Sequence, residues 1–332
     1  MAVGGALLGA RLQETAGGLG AGWKMIAGAS ISVIIPTYNR GHCIARCIQS
    51  VLAQTLQPLE VIVVDDASAD DTREKVAQFT DPRVHYVRHE TNRGGAAARN
   101  TAVLLARGEY LAFLDSDDVW RENMLEKQIA TLEAGGPCCG MCYSWIVYVD
   151  EAGQELERYE SRIEGECLRD MLVSNFVGSF SNVVMRRSLV IESGMLDETL
   201  PSCQDWDLFV RIAARSRLAI FCEAAVACTR GISDPHRISN NRRSVVHGHR
   251  MMLAKHGTDY RALPYPWRVY AYLRFMQIFA DAGSPADTVR LLPFALGGGM
   301  GQSLVAMRYV ARSWRKWFRA RLKQGQQYRS SW

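Results

Sequence analysis

Glu109-Tyr110-Leu111-Ala112-Phe113-Leu114-Asp115-Ser116-Asp117-Asp118 is an apolar run too short for a helix, and it stops abruptly in three carboxylates within four positions. The pattern predicts a buried parallel strand ending at a charged rim. Ligands of open α/β sheets bind outside the carboxyl ends of strands, so these acids stand where a substrate would be held. Carboxylates this close repel one another unless a positive charge joins them, and a hard divalent cation with oxygen ligands is the usual remedy. Such an ion wants a second anion, most often a diphosphate. A duller reading stays open beside it: Asp117 and Asp118 cap a helix that starts near Arg121, since Asp favours N-caps and first turns. Capping accounts for one acid more readily than for three. An EF-hand loop is disfavoured, because Val119 and Trp120 stand where it needs an oxygen ligand and a glycine.

Working outward, the same strand-and-helix rhythm recurs on the N-terminal side. Ile31 to Pro36 reads as a first strand, followed by the turn Thr37-Tyr38-Asn39-Arg40 and the amphipathic stretch Cys43 to Gln54. Leu59 to Val64 reads as a second strand that again finishes in acids, Asp65-Asp66, before a short helix over Thr72 to Phe79. Val84 to Val87 predicts a third strand, and Ala96 to Ala106 an Ala-rich helix entered through Gly94-Gly95. The alternation predicts an α/β protein, a doubly wound and mostly parallel sheet flanked by helices. Neither G-x-G-x-x-G nor G-x-x-x-x-G-K follows the first strand, so a nucleotide would be held by side chains and metal rather than by a glycine cradle.

Beyond Met141 the pattern loosens into strands (Met141 to Val149, Ser181 to Met185) and a helix from Asp205 to Ala214, a half suited to shaping an acceptor pocket between Cys142 and Ser202. After Gly231 the chain turns helical and basic, over Arg242 to His256, Trp267 to Ala282 and Leu304 to Leu322. The expected organisation is a loose tail over 1–30, a catalytic domain over 31–230 with a nucleotide-sugar half (31–130) and an acceptor half (131–230), and a helical basic C-terminal extension over 231–332.

Composition sets outer limits. With 48% hydrophobic and 22% charged residues the chain is ordinary for a globular protein, and disorder is not the default. The net charge of +5 is uneven, its excess lying between Arg308 and Arg329. Nucleic-acid binding through that end is disfavoured, because the remainder lacks RNA-binding motifs. Nine cysteines without a secretory leader point to a reduced, cytoplasmic setting. Cys139 and Cys142 form a C-x-x-C with no second pair at zinc spacing, which favours buried thiols. Leu291 to Met307 lacks charge but holds Pro293 and four glycines, and it is not read as a membrane span.

Taken together, Val33 to Arg40, Val63 to Ser68, Asn92-Arg93-Gly94 through Ala98-Arg99-Asn100, Gly108-Glu109-Tyr110 and Asp115-Ser116-Asp117-Asp118 resemble, in content, order and spacing, the family 2 glycosyltransferases. These are inverting sugar transferases with the GT-A fold. The resemblance runs from about Ile31 to Arg230 and implies a site. Pro36, Thr37 and Tyr38 would line a base pocket, and Asp65 would accept a hydrogen bond from the base of a UDP-sugar donor. Asp117 would hold Mg2+ or Mn2+, with Asp115 nearer the ribose, Ser116 in the donor-binding set, and Arg99 (or Arg93) beside the phosphates. Asp205, in Gln204-Asp205-Trp206-Asp207, would be the general base, preceded by Gly194-Met195-Leu196-Asp197-Glu198 where the family has Gly-x-Phe-Asp-Glu. Gln204 and Leu196 depart from the family's Glu and Phe.

Alternatives accompany these implications. Ser202-x-x-Asp205 also resembles a capping box. His236 falls where some relatives place a phosphate or metal contact, although a lone loop histidine is more often simply exposed. The glutamine at 204 keeps open a catalytically inactive transferase-like module. The aromatic and cationic residues of Arg308 to Leu322 suit either a helix lying on an anionic membrane surface or one packed on the catalytic domain. In the first case the protein would sit peripherally on the inner face of the plasma membrane and act on a lipid-linked acceptor; a glycan acceptor is the other expectation.

Overall fold

In the computed structural model, residues 29–150, 152–229, 241–295 and scattered positions from 304 to 315 are described. Strands β1 (Ile31–Thr37), β2 (Glu60–Asp65), β3 (Val84–Arg88) and β4 (Tyr110–Phe113) run parallel in the order β3-β2-β1-β4. Every residue of β1 and β2 is buried. Strands covered on both faces must be apolar throughout, which is why they read as continuous runs.

Alternate side chains part to opposite faces. Ile34, Ile62, Val64, Leu111 and Phe113 enter one core cluster, and Val33, Ile35, Val61, Val63, Ala112 and Leu114 enter the other. The second cluster is closed by α1 (Ile44–Leu52) through Ile44, Ile48 and Val51, next to the short α2 (Thr72–Val76). The first is covered by α3 (Gly95–Leu105), whose Ala96, Ala98 and Ala102 are small enough to lie close on the sheet. At the amino end of β4, a Cβ on Gly108 would stand 2.6 Å from the Ser32 amide nitrogen, so the chain can turn into β4 there only as glycine.

Beyond β4 the sheet becomes mixed. It continues through β5 (Val119–Trp120), α4 (Met124–Ala134), β6 (Cys139–Val149), β7 (Glu155–Tyr159), α5 (Leu168–Val173), β8 (Val183–Arg186), α6 (Arg187–Glu192), α7 (Gln204–Ala213) and β9 (Arg217–Thr229). β8 lies antiparallel between β4 and β6, while β6 is parallel to β9. The helix expected near Arg121 is instead β5 followed by α4, and the 13-residue β9 had not been anticipated. Cys139 and Cys142 are buried free thiols within β6.

The C-terminal part consists of α8 (Arg242–Lys255), α9 (Gly257–Ala262), α10 (Tyr265–Asp281), α11 (Pro285–Arg290) and α12 (Leu292–Ala295). It docks on α7. Phe275 of α10 stacks on Trp206 with ring centroids 5.4 Å apart and planes at 12°. Asp207, fully buried on α7, accepts from Arg211 Nη2 (2.6 Å), Lys255 Nζ (3.0 Å) and His256 Nε2 (2.9 Å). Against the cost of burial, the His256 hydrogen bond and the charged Arg211 and Lys255 hold its carboxyl down at about 2.

Residues 1–28, His236 and most of Leu304 to Leu322 lie outside the described residues. Where that last stretch is described, Arg312 pairs with Asp281 at 2.7 Å and Val310 packs against the core. No described helix is long and apolar enough to cross a membrane.

Candidate active site

The carboxyl ends of β1, β2 and β4 arrive together, because Thr37 pairs in register with Asp65 and Ile34 with Phe113. They open onto a cleft of about 1060 Å³. Its lining includes Pro36, Thr37, Tyr38, Arg99, Asp115, Ser116, Asp117 and Asp205. Eight of the nine residues expected at the site therefore share one cavity.

Asp65 is the exception. It does not line the cleft, and its buried carboxylate is held by the Tyr86 hydroxyl, the Ser68 amide (2.8 Å) and Arg88 Nε at 3.7 Å. Its neighbour Asp66 does line it, accepting from the backbone amides of Arg93 (2.8 Å) and Gly94 (2.6 Å) and contacting His89 Nδ1 at 2.7 Å. Asp66 thereby fixes the turn into α3, where Gly94 adopts φ +91. A side chain there would be strained.

The three acids after β4 divide by environment. Asp118 is buried, accepting from Ser181 Oγ (2.5 Å) and Cys228 Sγ (3.0 Å), and burial together with Asp117 and Asp115 pushes its pKa up. It stitches β4 to the mixed half. Asp115 and Asp117 keep side-chain exposures of 33% and 28%. Asp115 pairs with Arg99, whose guanidinium lies 4.6 Å over the Phe180 ring, and Asp117 stands 3.9 Å from Arg40. None of the acids caps a helix, since α4 begins only after Asn123.

Two buried polar atoms on the cleft, Thr37 Oγ1 and Arg99 Nε, have no hydrogen-bond partner among the described residues. Buried donors and acceptors are nearly always satisfied, so these mark places for a ligand. Among the described residues no three His, Cys, Asp or Glu side chains close around a metal position. Two accessible carboxylates beside open space nevertheless make an oxygen donor set of the kind Mg2+ uses, completed by substrate phosphates.

Asp205 lines the same cleft from the start of α7. The capping box does not form. The N-cap is Cys203, in the left-handed region at φ 63 with no side-chain cap, and Ser202 Oγ instead donates to the Ser244 carbonyl (2.9 Å). Asp205 accepts from Asn175 Nδ2 at 2.8 Å, and burial raises its pKa. Gln204 also lines the cleft, its Nε2 donating to the Leu200 carbonyl (2.8 Å).

The segment before α7 is braced by Asn100. Its amide donates to the Leu196 carbonyl and to Glu198 Oε1, both at 2.9 Å, and its Oδ1 accepts from the Leu196 amide at 2.9 Å. Two separate sequence motifs are thus one strut. Asn175, Phe180, Arg40 and Asp66 had not been singled out as site residues. Arg40 and Asp66 sat inside quoted motifs, whereas Asn175 lies in a loop without pattern.

A sheet whose parallel strands end in an acidic rim, with a further carboxylate lining the same cleft, is in keeping with the GT-A glycosyltransferase fold. Residues 32–194 match the family model described as Glycosyl transferase family 2. Over those residues the chain is similar to that family. It is 48% identical over 102 residues to the UDP-Glc:alpha-D-GlcNAc-diphosphoundecaprenol beta-1,3-glucosyltransferase WfgD of Escherichia coli, covering 31% of this chain and 40% of that protein. It is 32% identical over 202 residues to the succinoglycan biosynthesis protein ExoO of Rhizobium meliloti, covering 57% of this chain and 58% of that protein. The chain therefore spans less than two thirds of either relative. Among solved structures, the mannosyltransferase PcManGT of Pyrobaculum calidifontis, in complex with GDP-Man and Mn2+, superposes with a TM-score of 0.56 at 18% identity, covering 85% of each chain.

Proposed function

We propose that the chain is an inverting glycosyltransferase that moves a sugar from a UDP-sugar to a hydroxyl of a glycan or lipid-linked acceptor in surface polysaccharide synthesis. The observation that carries this reading is that Asp117 and Asp205 line one cleft while neither caps a helix. Relatives named for UDP-glucose transfer and succinoglycan biosynthesis support the donor and the pathway class.

Asp205 takes the proton of the acceptor hydroxyl, a task that suits a carboxylate whose basicity is raised by burial. The acceptor oxygen then forms its bond to the anomeric carbon as the bond to the diphosphate breaks on the opposite face, so configuration inverts without a covalent enzyme intermediate. Asn175 holds Asp205 in place through its 2.8 Å hydrogen bond. Thr37 and Tyr38 border the base, and Arg99 offers its unpartnered Nε beside Asp115. Asp117, with Asp115, would hold Mg2+ or Mn2+, which when bound neutralises the departing diphosphate. Asp65 stays behind the wall as a support, and its bond to a base would require Tyr86 to release it.

The experiment is manganese-dependent release of nucleoside diphosphate across a panel of sugar donors. Uridine donors turn over, chelation with EDTA stops the reaction and Mn2+ restores it. Asp205→Asn lowers kcat by about 10³-fold while nucleotide binding persists. Unchanged turnover in that variant removes Asp205 from the chemistry, and turnover of guanosine donors alone refutes the uridine assignment.

A further inference from the structure

Part of the cleft is walled by the C-terminal helices. α8 contributes Val245 and His249, and α10 contributes Arg274 and Ile278. Each pair is four residues apart and so shares one helical face. Aromatic packing fixes this wall against the base: Phe275, next to Arg274, stacks on Trp206, next to Asp205. His249 sits edge-on to both rings, 5.8 Å from Trp206 and 6.0 Å from Phe275. Burial pushes the His249 pKa down, so it adds no charge at neutral pH.

Arg274 differs from the other cations of the cleft. Arg40 and Arg99 face Asp117 and Asp115, whereas the exposed Arg274 donates from Nη1 to Gln277 Oε1 (3.0 Å) and has no carboxylate partner among the described residues. Apolar Val245 and Ile278 line the same cleft. The rest of the cleft carries Asp66, Asp115, Asp117 and Asp205, which would repel an anion.

We infer that this wall is the acceptor subsite, and that Arg274 selects an acceptor sugar whose phosphate or diphosphate is esterified to an alkyl chain. The inference rests on the glycosyltransferase reading above. A guanidinium fork matches two phosphate oxygens, and the valine and isoleucine of the same cleft offer the chain an apolar path. Arg274 is a specificity residue that takes no part in proton transfer.

The test measures initial rates with three acceptors: an alkyl diphosphate sugar, the neutral alkyl glycoside of the same sugar and chain, and the sugar 1-phosphate. Arg274→Gln raises KM for the alkyl diphosphate sugar about tenfold and moves that for the neutral glycoside less than about twofold. Arg274→Lys recovers only part of the loss, because it restores the charge without the fork. Equal effects of Arg274→Gln on charged and neutral acceptors, or no effect on either, overturn the assignment. A sugar 1-phosphate used as well as the alkyl diphosphate sugar removes the alkyl half of it. Wild-type protein that turns over a donor but prefers the neutral glycoside sinks the subsite alone. Wild-type protein that releases nucleoside diphosphate from no donor sinks the glycosyltransferase reading and the subsite together.

Discussion

At the scale of single residues, environment separates aspartates of the same type. Asp118 is spent on Ser181 and Cys228, Asp117 lies 3.9 Å from Arg40 at the cleft, and the half-buried Asp205 accepts from the Asn175 side chain. Burial raises the Asp205 pKa, so its ionised, proton-accepting form is lost as pH falls through a value above the ordinary carboxylate range. Transfer should accordingly show an acid limb above that range, read from kcat against pH. Removing the Asn175 amide takes away a hydrogen bond that favours the ionised form. Asn175→Ala should therefore move the limb to higher pH, and a limb that stays put would detach Asn175 from the base. The acids after Leu114 were legible because they interrupt an apolar run. Asn175 was not, since a loop asparagine leaves no periodic trace. Nor was the difference between Asp117 and Asp118, which depends on Ser181 and Cys228 arriving from distant strands.

At the scale of elements, β1, β2 and β4 could be read directly because both of their faces are covered, and the uninterrupted apolar run is the direct consequence. β9 escaped because Arg217, Cys222 and Glu223 break its pattern, and its pairing with β6 shifts register at Ser144 and Trp145. Bulges of this kind erase the period of two that marks a strand. The junction of α7 with α8 is set by Asp207. Its depressed pKa means that it stabilises the fold above the unfolded value near ~3.9 and that this contribution fades as pH falls toward about 2. Asp207→Asn leaves Arg211 and Lys255 without their shared anion and should cost about 3 kcal/mol at neutral pH. Denaturant midpoints should show the gap to wild type shrinking below about pH 4, and a gap that widens there would contradict the ion-pair account.

For the whole molecule, one core cluster runs from the sheet to the C-terminal helices, joining Leu111 and Phe113 to Trp206, Phe275, Phe279 and Ala295. The sheet and helices should therefore melt together, with tryptophan fluorescence and far-ultraviolet circular dichroism tracing one coincident transition. Two separated transitions would show that α8 to α12 fold apart from the sheet. Of the C-terminal helices, α8 and α10 were legible in the sequence, but their share in the cleft was not, because Val245, His249, Arg274 and Ile278 look like ordinary helical positions until Trp206 draws them in. That ring-on-ring clasp also means that any displacement of α10 is passed through Phe275 to Trp206, the neighbour of Asp205, so the seating of the C-terminal helices and the placing of that carboxylate are mechanically one matter.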